Sequence, residues 1–90
     1  MDAEDVLASR VRIKIVKILA RIGELNVSDL VRRLGTNYMT TSAHLRMLED
    51  EGILQRKMFG RVRLYRINEH SLRAKALLNL LEVWEKSGER

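Results

Sequence analysis

A chain of 90 residues builds one small domain, and its 46% of apolar residues fill only a thin core. Without cysteine it can form neither a disulfide nor a thiolate metal site, which suits a cytoplasmic protein. The net charge of +5 is concentrated: residues 54–66 hold Arg56, Lys57, Arg61, Arg63 and Arg66 and no acid, so the other 12 of the 17 basic residues face 12 acids elsewhere. A basic patch on an otherwise balanced domain points to a polyanion partner rather than to a merely solvated face.

The chain begins with the acids Asp2, Glu4 and Asp5 and no long apolar run follows, so neither a secretory leader nor a membrane span is expected. Residues 3–8 form a short arm, either a separate helical turn or an extension of the first long helix. That helix is expected from Ser9 to about Ile22. Val11, Ile15, Ile18 and Ile22 recur at 4-3-4 spacing and predict its buried face. Arg10, Arg12, Lys14, Lys17 and Arg21 occupy much of the remainder. Leu25 is a candidate for a short strand beside a later hairpin.

Asn26 is the expected N-cap of a second helix, with Asp29 returning a bond to the cap and Leu30, Val31 and Leu34 facing inward. Gly35 marks a tight turn. Asn37 caps a third helix whose Thr41, Leu45 and Leu48 share one face at 4-3 spacing. Leu54 to Arg66 reads as a β-hairpin with Gly60 at its tip. Val62 and Leu64 fall on one face and Tyr65 and Ile67 on the other, which predicts a bulge or strong twist near Leu64. A last helix runs from Ser71 to about Lys86. Gly23, Gly35, Gly52, Gly60 and Gly88 each stand where a left-handed residue or sharp bend is expected. In the last helix Leu77, Leu80, Leu81 and Trp84 make a stripe wider than so small a core needs. A second copy of the chain is its natural acceptor.

With these elements in place, the sequence resembles the winged helix-turn-helix transcription regulators of ArsR-like and MarR-like type. Three stretches carry the resemblance: Ser9-Arg10-Val11-Arg12-Ile13-Lys14-Ile15; Val27-Ser28-Asp29-Leu30 with Ser42 through Leu54; and Arg63-Leu64-Tyr65-Arg66-Ile67. The resemblance implies a mainly α fold with a small antiparallel β-hairpin: an arm over 1–8, a winged-helix core over 9–67 and a dimerisation helix over 69–87. It implies a homodimer that binds double-stranded DNA, with the recognition helix in the major groove and the basic wing on the backbone or in the minor groove.

Carried onto this chain, the recognition-helix contacts are Tyr38, Met39, Thr40, Ser42, Ala43 and Arg46, with His44 either on a phosphate or half-buried. Arg46 suits guanine, and Met39, Ala43 and the Thr40 methyl suit thymine methyls. Arg56, Lys57, Arg61 and Arg63 are the wing contacts, whereas Arg66 is a candidate for an internal ion pair. Ser28 and Asn37 are expected as helix caps close to a backbone phosphate. Leu77, Leu80, Leu81 and Trp84 are the expected dimer interface.

Metal-sensing members of the resembled family use cysteines, or clustered His and acidic residues on the last helix. Here only His70 stands near that helix, so no metal or other cofactor is expected. No phosphate-binding glycine loop or nucleophile–base arrangement suggests an enzyme. Two other readings stay open at this stage: an architectural DNA-coating protein, and a winged helix that docks proteins. A small-molecule effector is not legible, and the expected location is the cytoplasm, at the nucleoid.

Overall fold

The computed structural model describes residues 2–88. Along the chain run α1 (Ala3–Leu7), α2 (Arg10–Ile22), β1 (Glu24–Asn26), α3 (Val27–Leu34), α4 (Tyr38–Asp50), β2 (Leu54–Phe59), β3 (Val62–Ile67) and α5 (Leu72–Ser87). Ile15 and Leu19 of α2, Leu30 of α3, Leu45 and Leu48 of α4 and Leu54 of β2 meet in one fully buried cluster. Each such side chain contributes roughly 1.5–3 kcal/mol by leaving water. This cluster fixes the positions of every element that carries the site.

The buried face of α2 differs from the one its spacing predicts. Ile15, Val16 and Leu19 are buried, Val11 and Ile18 are half-buried, and Ile22 is exposed. The helix is apolar over a wide arc, so the 11-15-18-22 row is only one of several that fit. The 15-16-19 stripe extends one turn back to Arg12, which places that cation on the inward side. Ser9 caps the helix, its Oγ accepting the Arg12 N–H at 3.1 Å.

The helix-turn-helix is built by two asparagines and a glycine. Asn26 Oδ1 accepts the Asp29 N–H at 2.8 Å and Asn37 Oδ1 accepts the Thr40 N–H at 2.7 Å. Gly35 closes α3 with φ of 69°, a left-handed conformation that costs other residues the clash of their Cβ. Two expectations change here. Ser28 is the second residue of α3 and caps nothing; Asn26 fills that position. The Asp29 carboxylate turns to Arg32 instead of returning to the cap.

The three strands are antiparallel in the order β1-β3-β2, so the short strand at Leu25 does join the hairpin. The β2–β3 ladder runs unbroken from Leu54↔Ile67 to Phe59↔Val62, so the bulge that was one of the two alternatives expected near Leu64 does not occur. Leu64 lies on the outer sheet face, half-buried because its neighbours Asn26 and Lys57 flank it on both sides. At the hairpin tip Gly60 has φ of 63° and Arg61 has no positive φ, the pattern of a two-residue type II′ turn.

The last helix, capped by Ser71, packs on its own domain through Ala74 and Leu77, with Leu78 and Leu81 beside them. Leu77 is only 7% exposed and belongs to the chain's own core, which removes it from the expected interface. Gly88 is extended (φ −78°), not left-handed. Removing a cap should be visible in stability: Asn37→Ala is expected to cost about 1 kcal/mol in urea unfolding, with an unchanged denaturant slope.

Candidate nucleic-acid interface

The orientation of α4 follows from its buried row. Thr41, Leu45 and Leu48 are fully buried, so the opposite face must be free. Met39, Ala43 and Arg46 lie along it at i, i+4 and i+7, with Met47 and Asp50 beside them, all exposed. Met39 is 81% exposed, far more than a packing role would allow. Arg46 has no ion pair within the described residues, so its guanidinium is free to meet a ligand. Tyr38 stands exposed at the helix start, and Thr40 is half-buried. Ser42 departs from its expected role: its hydroxyl is sealed from solvent, without a hydrogen-bond partner, and cannot read a base.

The wing is braced against this helix. In the ladder Arg56 and Arg63 share the inner face with Leu54, Tyr65 and Ile67, which turns them toward α4. Arg63 Nη2 donates to the Tyr38 hydroxyl at 2.7 Å. Arg56 Nε lies 3.5 Å from the Glu49 carboxylate. These two contacts tie both wing strands to both ends of α4. They also change the charge assignment, because Glu49 offsets Arg56 and Glu69 approaches Arg66 at 4.0 Å. Lys57 and Arg61 carry no ion pair among the described residues, and Arg63 keeps its charge because its partner is a neutral phenol. A positive ridge therefore runs from the wing tip toward the start of α4.

Behind the exposed face sits a contact that sequence reasoning missed. Arg12 Nη1 lies 3.1 Å from His44 Nδ1 and 3.3 Å from Met47 Sδ, and Nη2 donates to the Asp5 carbonyl. An arginine can only donate, so His44 accepts through Nδ1 and carries its proton on Nε2. One guanidinium thus joins α1, α2 and α4. His44 is half-buried here, the second of the two placements expected for it. Burial first, and then the nearby Arg12 charge, hold its pKa below the ordinary 6.5. The sequence offered no signal for it, because the spacing of α2 put Arg12 off the buried face and 32 residues separate it from His44.

The arrangement has the parts needed to bind duplex DNA. It offers a narrow helix face with one free arginine and apolar neighbours for base edges, and a cationic hairpin at its side for phosphates. Among the described residues no group of three or more His, Cys, Asp or Glu side chains could hold a metal ion, and no helix is long and apolar enough to cross a membrane.

Such a helix-turn-helix followed by a braced wing defines a winged-helix regulator. Residues 9–56 match the arsR family of bacterial regulatory proteins. The chain is 33% identical over 85 residues to the arsenical resistance operon repressor of Escherichia coli K12, covering 94% of this chain and 72% of that one. The crystal structure of the AntR antimony-specific transcriptional repressor aligns with a TM-score of 0.75 at 33% identity, over 88% of this chain and 67% of that one. The solution structure of a homodimeric winged helix-turn-helix DNA-binding domain from Mycobacterium bovis, a possible ArsR-family regulator, aligns with a TM-score of 0.79 at 28% identity, over 94% and 77%. The chain belongs to the arsR family of bacterial regulatory proteins.

The His44 contact makes stability depend on pH. The unfolded chain takes up a proton near 6.5, whereas the folded one resists it to lower pH. The contribution is therefore complete above that value and is lost as pH falls below it. Thermal melts at about pH 7.5 and about pH 5 should show a larger drop for the wild type than for His44→Gln, which does not titrate.

Proposed function

We propose that this protein is a sequence-specific, double-stranded-DNA-binding transcription regulator that acts as a homodimer. The observation that carries this reading is the free Met39–Ala43–Arg46 face of α4, with a cationic wing held beside it by Tyr38 and Glu49. Arg46 reads guanine through O6 and N7, and Met39 and Ala43 rest against thymine methyls. Thr40 and Tyr38 meet the groove edge. Lys57, Arg61 and Arg63 lie along phosphates, as does the amide-rich start of α4 behind Asn37. Family membership supports regulation rather than catalysis, and the relatives described as repressors favour repression. Its place of action is the nucleoid, in the cytoplasm.

The chain has no cysteine, so the thiolate chemistry of metal-sensing members has no residues here to perform it. The relatives' arsenical and antimony specificities are accordingly not part of this reading.

Dimerisation is supported by the surface that α5 leaves uncovered. Leu80, Val83 and Trp84 are exposed on one side of the helix, Trp84 at 71%, and Leu7 of α1 is exposed as well. A second copy covers this stripe and sets two recognition helices on successive major-groove faces, about 34 Å apart. Trp84→Glu is expected to leave a folded monomer at micromolar concentration in analytical ultracentrifugation; a persistent dimer would refute this interface.

Sequence-specific binding is tested by selecting fragmented genomic DNA on the purified protein in the presence of excess competitor. A few enriched sites with inverted symmetry are expected, and broad retention without a motif would establish an architectural protein instead. On an enriched site, Arg46→Ala should lose about 1–3 kcal/mol of discrimination at one base pair of each half-site. Arg61→Ala should weaken all sequences alike and lower the salt slope by about 0.9 for each phosphate that the arginine neutralises.

A further inference from the structure

The cations of the wing fit DNA binding, but its apolar tip is unexplained by them. Phe59, the only phenylalanine of the chain, is 70% exposed, and Met58 and Val62 are exposed beside it. Phe59 and Val62 are directly opposed across the ladder, at the positions that flank the Gly60–Arg61 turn. Cross-strand pairing stabilises a hairpin when the two side chains cover one another. A ring left mostly in water gains little from that.

Three features give this apolar tip a direction. First, the base of the hairpin is fixed: Leu54, Tyr65 and Ile67 are buried in the core. Second, its middle is braced by Arg63 on Tyr38 and Arg56 on Glu49. Force applied at the tip is therefore resisted by the body of the domain. Third, cations flank the tip, Lys57 on the same sheet face as Phe59 and Arg61 in the turn, with Arg63 on the opposite face and no acid anywhere in residues 54–66. A free-standing apolar site for another protein would not need that cationic collar, whereas a polyanion partner requires it.

The geometry points to Phe59, with Val62 behind it, as an apolar wedge that enters the minor groove of bound DNA and partly unstacks one base step. This inference rests on the DNA-binding reading above and deepens it. Arg61 and Lys57 hold the flanking phosphates while the ring enters between bases. The energetic consequence is a specificity that needs no hydrogen bond to a base. Unstacking costs less at flexible pyrimidine–purine steps than in stiff A-tracts, so the wing selects deformable DNA. Two wings of a dimer would impose two kinks on one site.

The test uses the full chain and two duplexes of about 30 base pairs: one of alternating T and A, carrying 2-aminopurine, and one A-tract. The wild type should prefer the flexible duplex about tenfold and raise 2-aminopurine fluorescence at saturation. Phe59→Ala should bind the A-tract within about twofold of wild type, yet lose the preference and the fluorescence rise. Phe59→Leu, which keeps an apolar wedge, should retain part of both. Thermal melting reports folding of each variant, since substituting an exposed side chain should leave it unchanged. A wild type without duplex preference, or a Phe59→Ala variant that keeps preference and fluorescence, would overturn the wedge while leaving DNA binding intact. Failure of the wild type to bind either duplex at low salt would overturn the DNA-binding reading and the wedge with it.

Discussion

The complete burial of Thr41, Leu45 and Leu48 is the constraint on which the rest of the molecule depends. A helix in contact with a core through one row has no rotational freedom left. Its opposite row is thereby aimed outward, and everything functional follows from that aim: the free arginine, the apolar neighbours, and the wing that must stand beside them. The hydrophobic cluster built from α2, α3 and β2 acts as the mount for this row. Burial energy, which carries no information about a ligand, is converted into orientation, which does.

Polar contacts then refine what the core has positioned. Arg63 on Tyr38 and Arg56 on Glu49 turn a hairpin that could swing into one that is fixed against α4. Exposed contacts of this kind are individually weak. Their value lies in geometry, since two ties at opposite ends of one helix restrain an angle that a single tie would leave free. Arg12 does the corresponding work on the far side, joining the N-terminal arm to the recognition helix through His44.

Much of this was legible in the sequence, and the reasons are local. Asn26, Gly35 and Asn37 specify the helix-turn-helix by capping and by a left-handed turn, each acting within a few residues. The inward row of α4 could be read because polar residues surround it. The face of α2 could not, since a helix with apolar residues on most of its sides offers several equivalent rows. The expected bulge at Leu64 was an overreading of strict alternation: an outer-face leucine needs no bulge when neighbours on both strands flank it. The division of α5 also escaped, with Leu77 going to the core while Leu80 and Trp84 stay outside. The pairs Arg12–His44 and Tyr38–Arg63 span 32 and 25 residues, a separation at which no local rule operates.

The strand order β1-β3-β2 leaves β2 with one unpaired edge, a row of backbone donors and acceptors open to any other extended chain. Such an edge invites self-association through sheet extension. Arg56 and Lys57 lie in the middle of it, and two copies brought edge to edge would set these cations against each other. The positive charge that the DNA-binding proposal sets on phosphates thus also opposes the adhesion of one wing to the next, and Lys57, in the middle of that edge and without an ion pair among the described residues, would serve solubility and affinity at once.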